Sequence, residues 1–302
     1  MSTAPKVLVV GAGPAGVSAV LWARSIAFRC ELLERTERPG GQLHQVYFPL
    51  ENVAGAAALS GAELAMAMGH QLADHPVRFG AEVAALDPER AAVRLRSGEW
   101  VEGDALLIAT GVRRRQLQIP GAEALLDRGV SYSATRDRAR FAGRSMVVVG
   151  GGDAAYENAR MLADAGCRVL LAVRGQPRAH AAFRARVAAA PAIEVLDDLE
   201  LLAILGEDRV RAVRYRDATG EHERAVEGVV VKIGVVPNSE SLQGSLALDD
   251  DGYVRVDATL RSSHPRAWAA GDVTRPPVFG VPVAWGHGAL AIASIRAALR
   301  GR

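Results

Sequence analysis

The 302 residues are 49% hydrophobic, enough to bury more core than one domain usually holds, and they point to two domains. A net charge of +2 argues against nucleic acid as a partner, and no apolar run approaches the ~20 residues that cross a bilayer. Cys30 and Cys167, the only cysteines, stand far apart beside apolar runs, so no disulfide framework or metal-type spacing is present and both are expected as inert core thiols.

The first residues, Met1 to Lys6, lead straight into an apolar strand without the charged, apolar and cleavage regions of a signal peptide, so a cytoplasmic location is expected. Val7 to Val10 reads as a buried strand, Gly11-Ala-Gly-Pro-Ala-Gly16 as a glycine turn, and the following residues as a helix. In such a turn the first glycine bends the chain, the second lets backbone approach a pyrophosphate, and the third lets helix and strand close together. The phosphates then meet the positive end of the helix dipole. The next strand ends in Glu34, about 20 residues on, where an acid grips a ribose hydroxyl.

A helical pattern follows from Gly61 to about Ala73, then short strand-like runs and the strand Asp104 to Gly111. Val112 to Gly121 is polar and ends in Pro-Gly, the signature of a linker. Met146-Val-Val-Val-Gly-Gly-Gly-Asp-Ala-Ala155 then repeats the strand, glycine turn and helix, with Ala155 in the third glycine's place. Its second strand, Arg168 to Val173, ends without an acid and is followed by Arg174 and Arg178, which could clamp a 2′-phosphate; NADPH is expected, with NADH as the alternative. Ile233 to Ser239 reads as a crossing back. The fold class is therefore α/β, with two Rossmann-like dinucleotide-binding domains, one inserted in the other: residues 1–114 with 238–302, and residues 115–237.

Gly11 to Gly16, Pro39-Gly-Gly-Gln-Leu43, Ile108-Ala-Thr-Gly111, Gly150 to Ala155, Ile233-Gly234 and Ala269-Ala-Gly-Asp-Val273 occur in the order seen in the low-molecular-weight thioredoxin reductases, which the chain resembles over almost its full length. The resemblance implies an FAD-dependent NAD(P)H oxidoreductase, commonly a homodimer, whose NADPH domain rotates about hinges near Val112 to Gly121 and Gly234 to Ser239. Carried over, it places FAD on Gly11, Gly13, Pro14, Ala15, Gly16, Glu34, Arg35, Gly41, Gln42, Leu43 and Asn52. Val83, Ala109, Thr110, Gly111, Gly271 and Asp272 would complete that site, with Gly286, His287, Gly288 and Ala289 opening the C-terminal helix beneath the flavin. It places NAD(P)H on Gly150, Gly152, Asp153, Ala154, Ala155, Glu157, Arg174, Arg178, Ile233 and Gly234.

One segment departs from that pattern. Where thioredoxin reductases carry Cys-Ala-Thr-Cys, this chain reads Ser133-Ala-Thr-Arg136, and neither serine nor arginine can relay an electron pair. Electrons are expected to leave the flavin directly, as in the similar thioredoxin-reductase-like ferredoxin/flavodoxin–NADP reductases. Those relatives usually carry a C-terminal extension over the flavin ring, which is not expected after Arg302. Two further readings stay open: a small-molecule acceptor such as a quinone, free flavin or oxygen, and a non-catalytic FAD-binding redox sensor.

Arg113 to Arg115, with Arg136, Arg138 and Arg140, could steer an acidic carrier such as ferredoxin or flavodoxin. His287 could relay a proton or bond the flavin, His44 is expected to be structural, and Trp285 and Tyr47 could shield the ring or simply pack. No metal site is expected from the remaining histidines.

Overall fold

The computed structural model describes residues 5–56 and 59–300. The expectations for residues 1–4 and for the chain after Arg302 lie outside the described residues. The chain divides into two compact units, Met1–Arg113 with Val236–Arg302, and Arg114–Val235.

The first unit opens with β1 (Lys6–Val10), α1 (Pro14–Ser25) and β2 (Arg29–Leu33), then α2 (Gly61–Gln71) and β3 (Val77–Arg78). It continues through β4 (Val83–Asp87), β5 (Ala92–Leu95), β6 (Trp100–Glu102), β7 (Ala105–Ile108) and β8 (Val112–Arg114). The second unit runs β9 (Val130–Ser131), α3 (Ala134–Phe141), β10 (Ser145–Val149), α4 (Asp153–Asp164), β11 (Arg168–Ala172), α5 (Ala181–Ala188) and β12 (Ile193–Leu196). It is completed by β13 (Glu200–Leu205), β14 (Ala212–Asp217), β15 (Gly220–Ala225) and β16 (Gly228–Val231), after which β17 (Val235–Pro237), β18 (Ala267–Ala269) and α6 (Val281–Arg300) follow.

Each unit is built on a parallel sheet of five strands, ordered β18-β7-β1-β2-β3 in the first and β12-β11-β10-β16-β9 in the second. Val7 to Val10 and Met146 to Val149 are buried along their whole length, as strands covered on both faces must be. Burying each such side chain is worth roughly 1.5–3 kcal/mol. The register matches as well: Val10 O accepts from Ala109 N at 2.8 Å, and Val149 O accepts from Lys232 N at 2.8 Å. A three-stranded antiparallel sheet comes just before the matching strand of each parallel sheet, β4-β5-β6 before β7 and β13-β14-β15 before β16. The fifth strand breaks the symmetry, since β18 follows its sheet's other strands in sequence and β9 precedes them.

Local chemistry sets the helix starts. Pro14 opens α1, where its missing N–H costs nothing. Ser60 and Glu63 close a reciprocal capping box on α2, Ser60 N donating to Glu63 Oε2 at 2.7 Å. The segment read as a polar linker begins as a strand, because buried Val112 requires a backbone partner and β8 pairs with β17. No helix among the described residues is long and apolar enough to cross a membrane.

Candidate functional site

At the first glycine turn, a Cβ on Gly11 would lie 2.5 Å from Ala109 O, and one on Gly16 would lie 1.9 Å from Gly11 O. Neither position admits a side chain. Gly13 instead faces open space, with nothing within 4 Å of where its Cβ would be, which is the opening a pyrophosphate needs. Pro14 and Ala15 carry the turn into α1. Gly41 begins a short 3-10 turn, Gly41–Gln45, and lies against Gly13, its would-be Cβ 3.3 Å from Gly13 Cα; Gln42 is half-buried and Leu43 buried in the core.

Glu34 is buried and directed into the turn. Its Oε2 accepts from Ala12 N at 2.8 Å, and its Oε1 accepts from Thr36 N at 2.9 Å and Thr36 Oγ1 at 2.8 Å. Arg35 is exposed beside it, and Val83 lies on β4 just after Ala81, whose N–H donates to Glu34 O at 2.8 Å. Asn52 is exposed on the loop ahead of α2. Gly271, at φ 75°, brings Asp272 over the start of α1, since a Cβ there would sit 2.9 Å from Ala15 Cβ. The Asp272 carboxyl is half-buried, makes no hydrogen bond among the described residues, and is held above its ordinary pKa by burial. An open Gly13 and an unpartnered carboxyl above one helix terminus fit a group that presents phosphate and hydroxyls, so the residues present suit FAD.

His287 Nδ1 accepts from Gly271 N at 3.3 Å. Burial lowers its pKa, so the ring is neutral and its proton sits on Nε2. His44 is structural, its Nε2 donating to Pro39 O at 2.8 Å. Tyr47 is exposed, and Trp285 packs on the core while its carbonyl accepts from Ser18 Oγ at 2.7 Å.

The structure corrects several sequence expectations here. Gly286, His287, Gly288 and Ala289 do not open the last helix, because α6 begins at Val281 and they fall in its second and third turns. Gly288 is a packing glycine: a Cβ on it would meet Ala15 O at 2.3 Å where α6 closes on α1. Thr110 is committed to the fold, its Oγ1 donating to Asn238 O and its carbonyl accepting from Asn238 Nδ2, both at 2.7 Å, while Gly111 O accepts from Asn238 N at 3.0 Å. Asn238 was visible in the sequence only as a turn residue.

In the second unit, Gly150 is as constrained as Gly11, its would-be Cβ 2.2 Å from Lys232 O, and Gly152 is open like Gly13. Asp153 starts α4, and its carboxylate accepts from His180 N and pairs with His180 Nδ1, each at 2.7 Å. Gly151 O accepts from Arg178 N at 2.7 Å and Ala179 N at 3.0 Å, so residues 174–180 fold onto the turn and bring exposed Arg174 and Arg178 to it. His180 was not anticipated, since nothing in its local sequence marks a partner 27 positions away. Ala154 and Ala155 continue into α4, Glu157 is exposed one turn on, Ile233 packs on the core, and Gly234, at φ 90°, accepts from Arg115 N at 3.0 Å.

The Ser133-Ala-Thr-Arg136 segment is a folded polar knot. Ser133 caps α3 by accepting from Arg136 N at 3.3 Å. Ser131 Oγ bonds Asp137 Oδ2 at 2.5 Å, and Arg136 pairs with both Asp127 and Asp137, which holds the Asp137 carboxyl below its usual range against the opposing effect of burial. Cys30 and Cys167 are both buried, on β2 and just before β11. Burial pushes the Cys30 thiol up to about 12, and Cys167 Sγ donates to Phe141 O at 3.0 Å. Of the arginines considered for docking, Arg113 pairs with Glu240 and Arg140 lies 3.4 Å from Asp137. Among the described residues, no group of three or more His, Cys, Asp or Glu side chains could hold a metal ion.

Comparison with known proteins agrees with this geometry. One alkyl hydroperoxide reductase subunit, that of Pseudomonas putida, is 33% identical over 295 residues, 94% of this chain but 56% of that protein, so the chain spans little more than half the length of such relatives. The thioredoxin reductase of Mycolicibacterium smegmatis is 34% identical over 282 residues, 90% of this chain and 89% of that one. The crystal structure of Lactococcus lactis thioredoxin reductase superimposes with a TM-score of 0.84 at 28% identity over 99% of this chain and all of that one, and that of T. acidophilum thioredoxin reductase with 0.82 at 27% over 98% and 99%. Residues 5–298 match the family described as pyridine nucleotide-disulphide oxidoreductase. Paired glycine turns, each with its first glycine sealed and a later one open, thus belong to a chain that is a member of the pyridine nucleotide-disulphide oxidoreductase family, among its FAD- and NADPH-dependent, thioredoxin reductase-like enzymes.

Proposed function

We propose that this chain takes hydride from NADPH onto FAD and passes electrons directly to an external, non-disulfide acceptor, with no thiol relay of its own. The observation that carries the reading is the state of its sulfur: both cysteines are buried, Cys30 on β2 and Cys167 just before β11 of the other parallel sheet, and Arg136 of the Ser133 to Arg136 segment is tied to Asp127 and Asp137. A buried thiol held protonated is neither nucleophile nor relay.

FAD, when bound, supplies hydride acceptance and onward electron transfer. The first unit's part is to hold it. The Gly11 to Gly16 turn would admit the pyrophosphate at Gly13, the buried Glu34 would serve the adenosine ribose, and the Asp272 carboxyl would accept from hydroxyls. His287 stays neutral and offers Nε2–H as a donor. The second unit's part is to hold NADPH through the Gly150 to Ala155 turn, with Arg174 and Arg178 on the 2′-phosphate. A cytoplasmic homodimer is in keeping with the likeness to thioredoxin reductases.

For the acceptor, a small molecule such as a quinone, free flavin or oxygen is favoured as a second reading over ferredoxin or flavodoxin, because Arg113, Arg136 and Arg140 are already paired. Anaerobic mixing with NADPH followed by a panel of acceptors tests both. Rapid bleaching of the flavin with turnover on a non-thiol acceptor is expected; a colourless protein, no bleaching, or brisk reduction of a disulfide substrate would defeat the reading.

A further inference from the structure

The two units place the same backbone frame around their glycine turns, and one position in it differs in kind. The residue after β7 or β16, whose carbonyl seals the first glycine and whose N–H bonds the strand leading into the turn, is Ala109 in one unit and Lys232 in the other. The frame itself therefore needs only alanine there. Lys232 follows three consecutive buried valines on β16 and sits half-buried at the C-terminal edge of the sheet, between β10 and β9. Strand order reverses at β10 and β16, and in an open parallel sheet the crevice at that reversal receives the dinucleotide.

Burying a lysine costs free energy, so its surroundings matter. Lys232 Nζ donates to Tyr132 O at 2.9 Å. The charged groups acting on it are Arg114 from β8, which disfavours its charge, and Glu157 from α4, which favours it. An ammonium has three donors, and one is used. Desolvation and Arg114 lower its pKa to about 8, so it remains a cation at neutral pH.

We propose that Lys232 positions the nicotinamide half of the pyridine nucleotide, donating from its remaining N–H groups to oxygens of the nicotinamide ribose or carboxamide. This rests on the reading that the second unit binds NADP(H). Phosphate over Gly152 and the α4 terminus, with Arg174 and Arg178 at the adenosine end, leaves the crevice beside Lys232 to the other half of the ligand. Lys232 and the arginines thus grip opposite ends of one molecule.

Two probes separate the ends. NADP+ has both halves, while adenosine 2′,5′-bisphosphate lacks nicotinamide. Equilibrium binding of each to the FAD-loaded protein is compared for the native chain, Lys232→Met and Lys232→Arg. Lys232→Met is expected to bind NADP+ about 10- to 100-fold more weakly, the effect of losing a hydrogen bond from a charged group, with Lys232→Arg recovering part of the loss. Its affinity for the bisphosphate stays within about twofold. NADP+ affinity of the native chain declines above about pH 8, and bisphosphate affinity does not. Unchanged NADP+ binding in Lys232→Met, or equal loss of both probes, overturns the proposal; should that variant not fold, matching pH profiles for the two probes in the native chain overturn it instead. If the native chain binds neither probe and NADPH never bleaches its flavin, the broader reading of the second unit has failed.

Discussion

At the first glycine turn the residue after the second strand is Glu34, buried and bonded to Ala12 N at 2.8 Å; at the second turn the matching residue is Val173, apolar and buried, followed by exposed Arg174. Both follow from one register, in which Gly11 N donates to Leu33 O at 2.8 Å and Gly150 N to Ala172 O at 3.0 Å. The backbone is common property, and the choice of ligand rests on the residues standing at the ends of its strands. An acid in the turn suits neutral ribose hydroxyls, whereas an apolar slot beside exposed guanidinium groups suits a charged phosphate.

The third position of the turns separates the units most sharply. Gly16→Ala would force a Cβ to within 1.9 Å of Gly11 O, and a loss of about 3 kcal/mol or more with no retained flavin is expected in urea unfolding and visible absorbance. Ala155→Gly, the matched change in the other unit, costs about 1 kcal/mol. Equal effects would mean that the two turns are not built as described.

Next in size is exchange of the ligand-choosing residues. Arg174→Glu is expected to weaken NADPH about 10-fold or more with little change for NADH or for stability, read from the concentration dependence of flavin reduction. Glu34→Gln should cost about 1–3 kcal/mol, since hydrogen bonds to a buried carboxylate weaken, and should loosen FAD without altering nucleotide choice. Replacing Cys30 and Cys167 together by alanine should leave turnover within about twofold if neither sulfur carries electrons.

The smallest effect is on stability and depends on pH. Lys232 releases its proton near pH 8 in the folded chain but only near 10.5 when unfolded, so between these values the unfolded state binds more protons and native stability rises with pH. The cost of burying its charge is thus fully present below pH 8. Lys232→Met is expected to unfold later than the native chain at pH 7, by about 1 kcal/mol, with the advantage fading by pH 10.5. A destabilised variant at pH 7 would mark Lys232 as a strap for Tyr132 instead.

Much of this was legible because it is local. Glycine spacing, valine runs and the acid at Glu34 declare a nucleotide turn within one stretch of chain, and the order of the motifs declared the family. The antiparallel sheet β4-β5-β6 was read only as short strand-like runs and β13-β14-β15 was not read at all, since alternating strands carry a weak signal until paired. The start of α6 was misplaced because it was carried over from the resemblance; α6 in fact begins at Val281, with Pro282 in its first turn, where proline is well tolerated.

The sequence by itself determined where the two turns lie, which of them carries an acid or arginines, and that the two cysteines stand far apart along the chain, because each of these is a matter of residue type and spacing. Only the tertiary structure decided that Arg113, Arg136 and Arg140 are paired, that Gly288 serves packing, that Thr110 is bonded to Asn238, and that Lys232 stands where Ala109 does. Those facts depend on groups far apart in the chain, and what a side chain is free to do is fixed by the partners that folding brings to it.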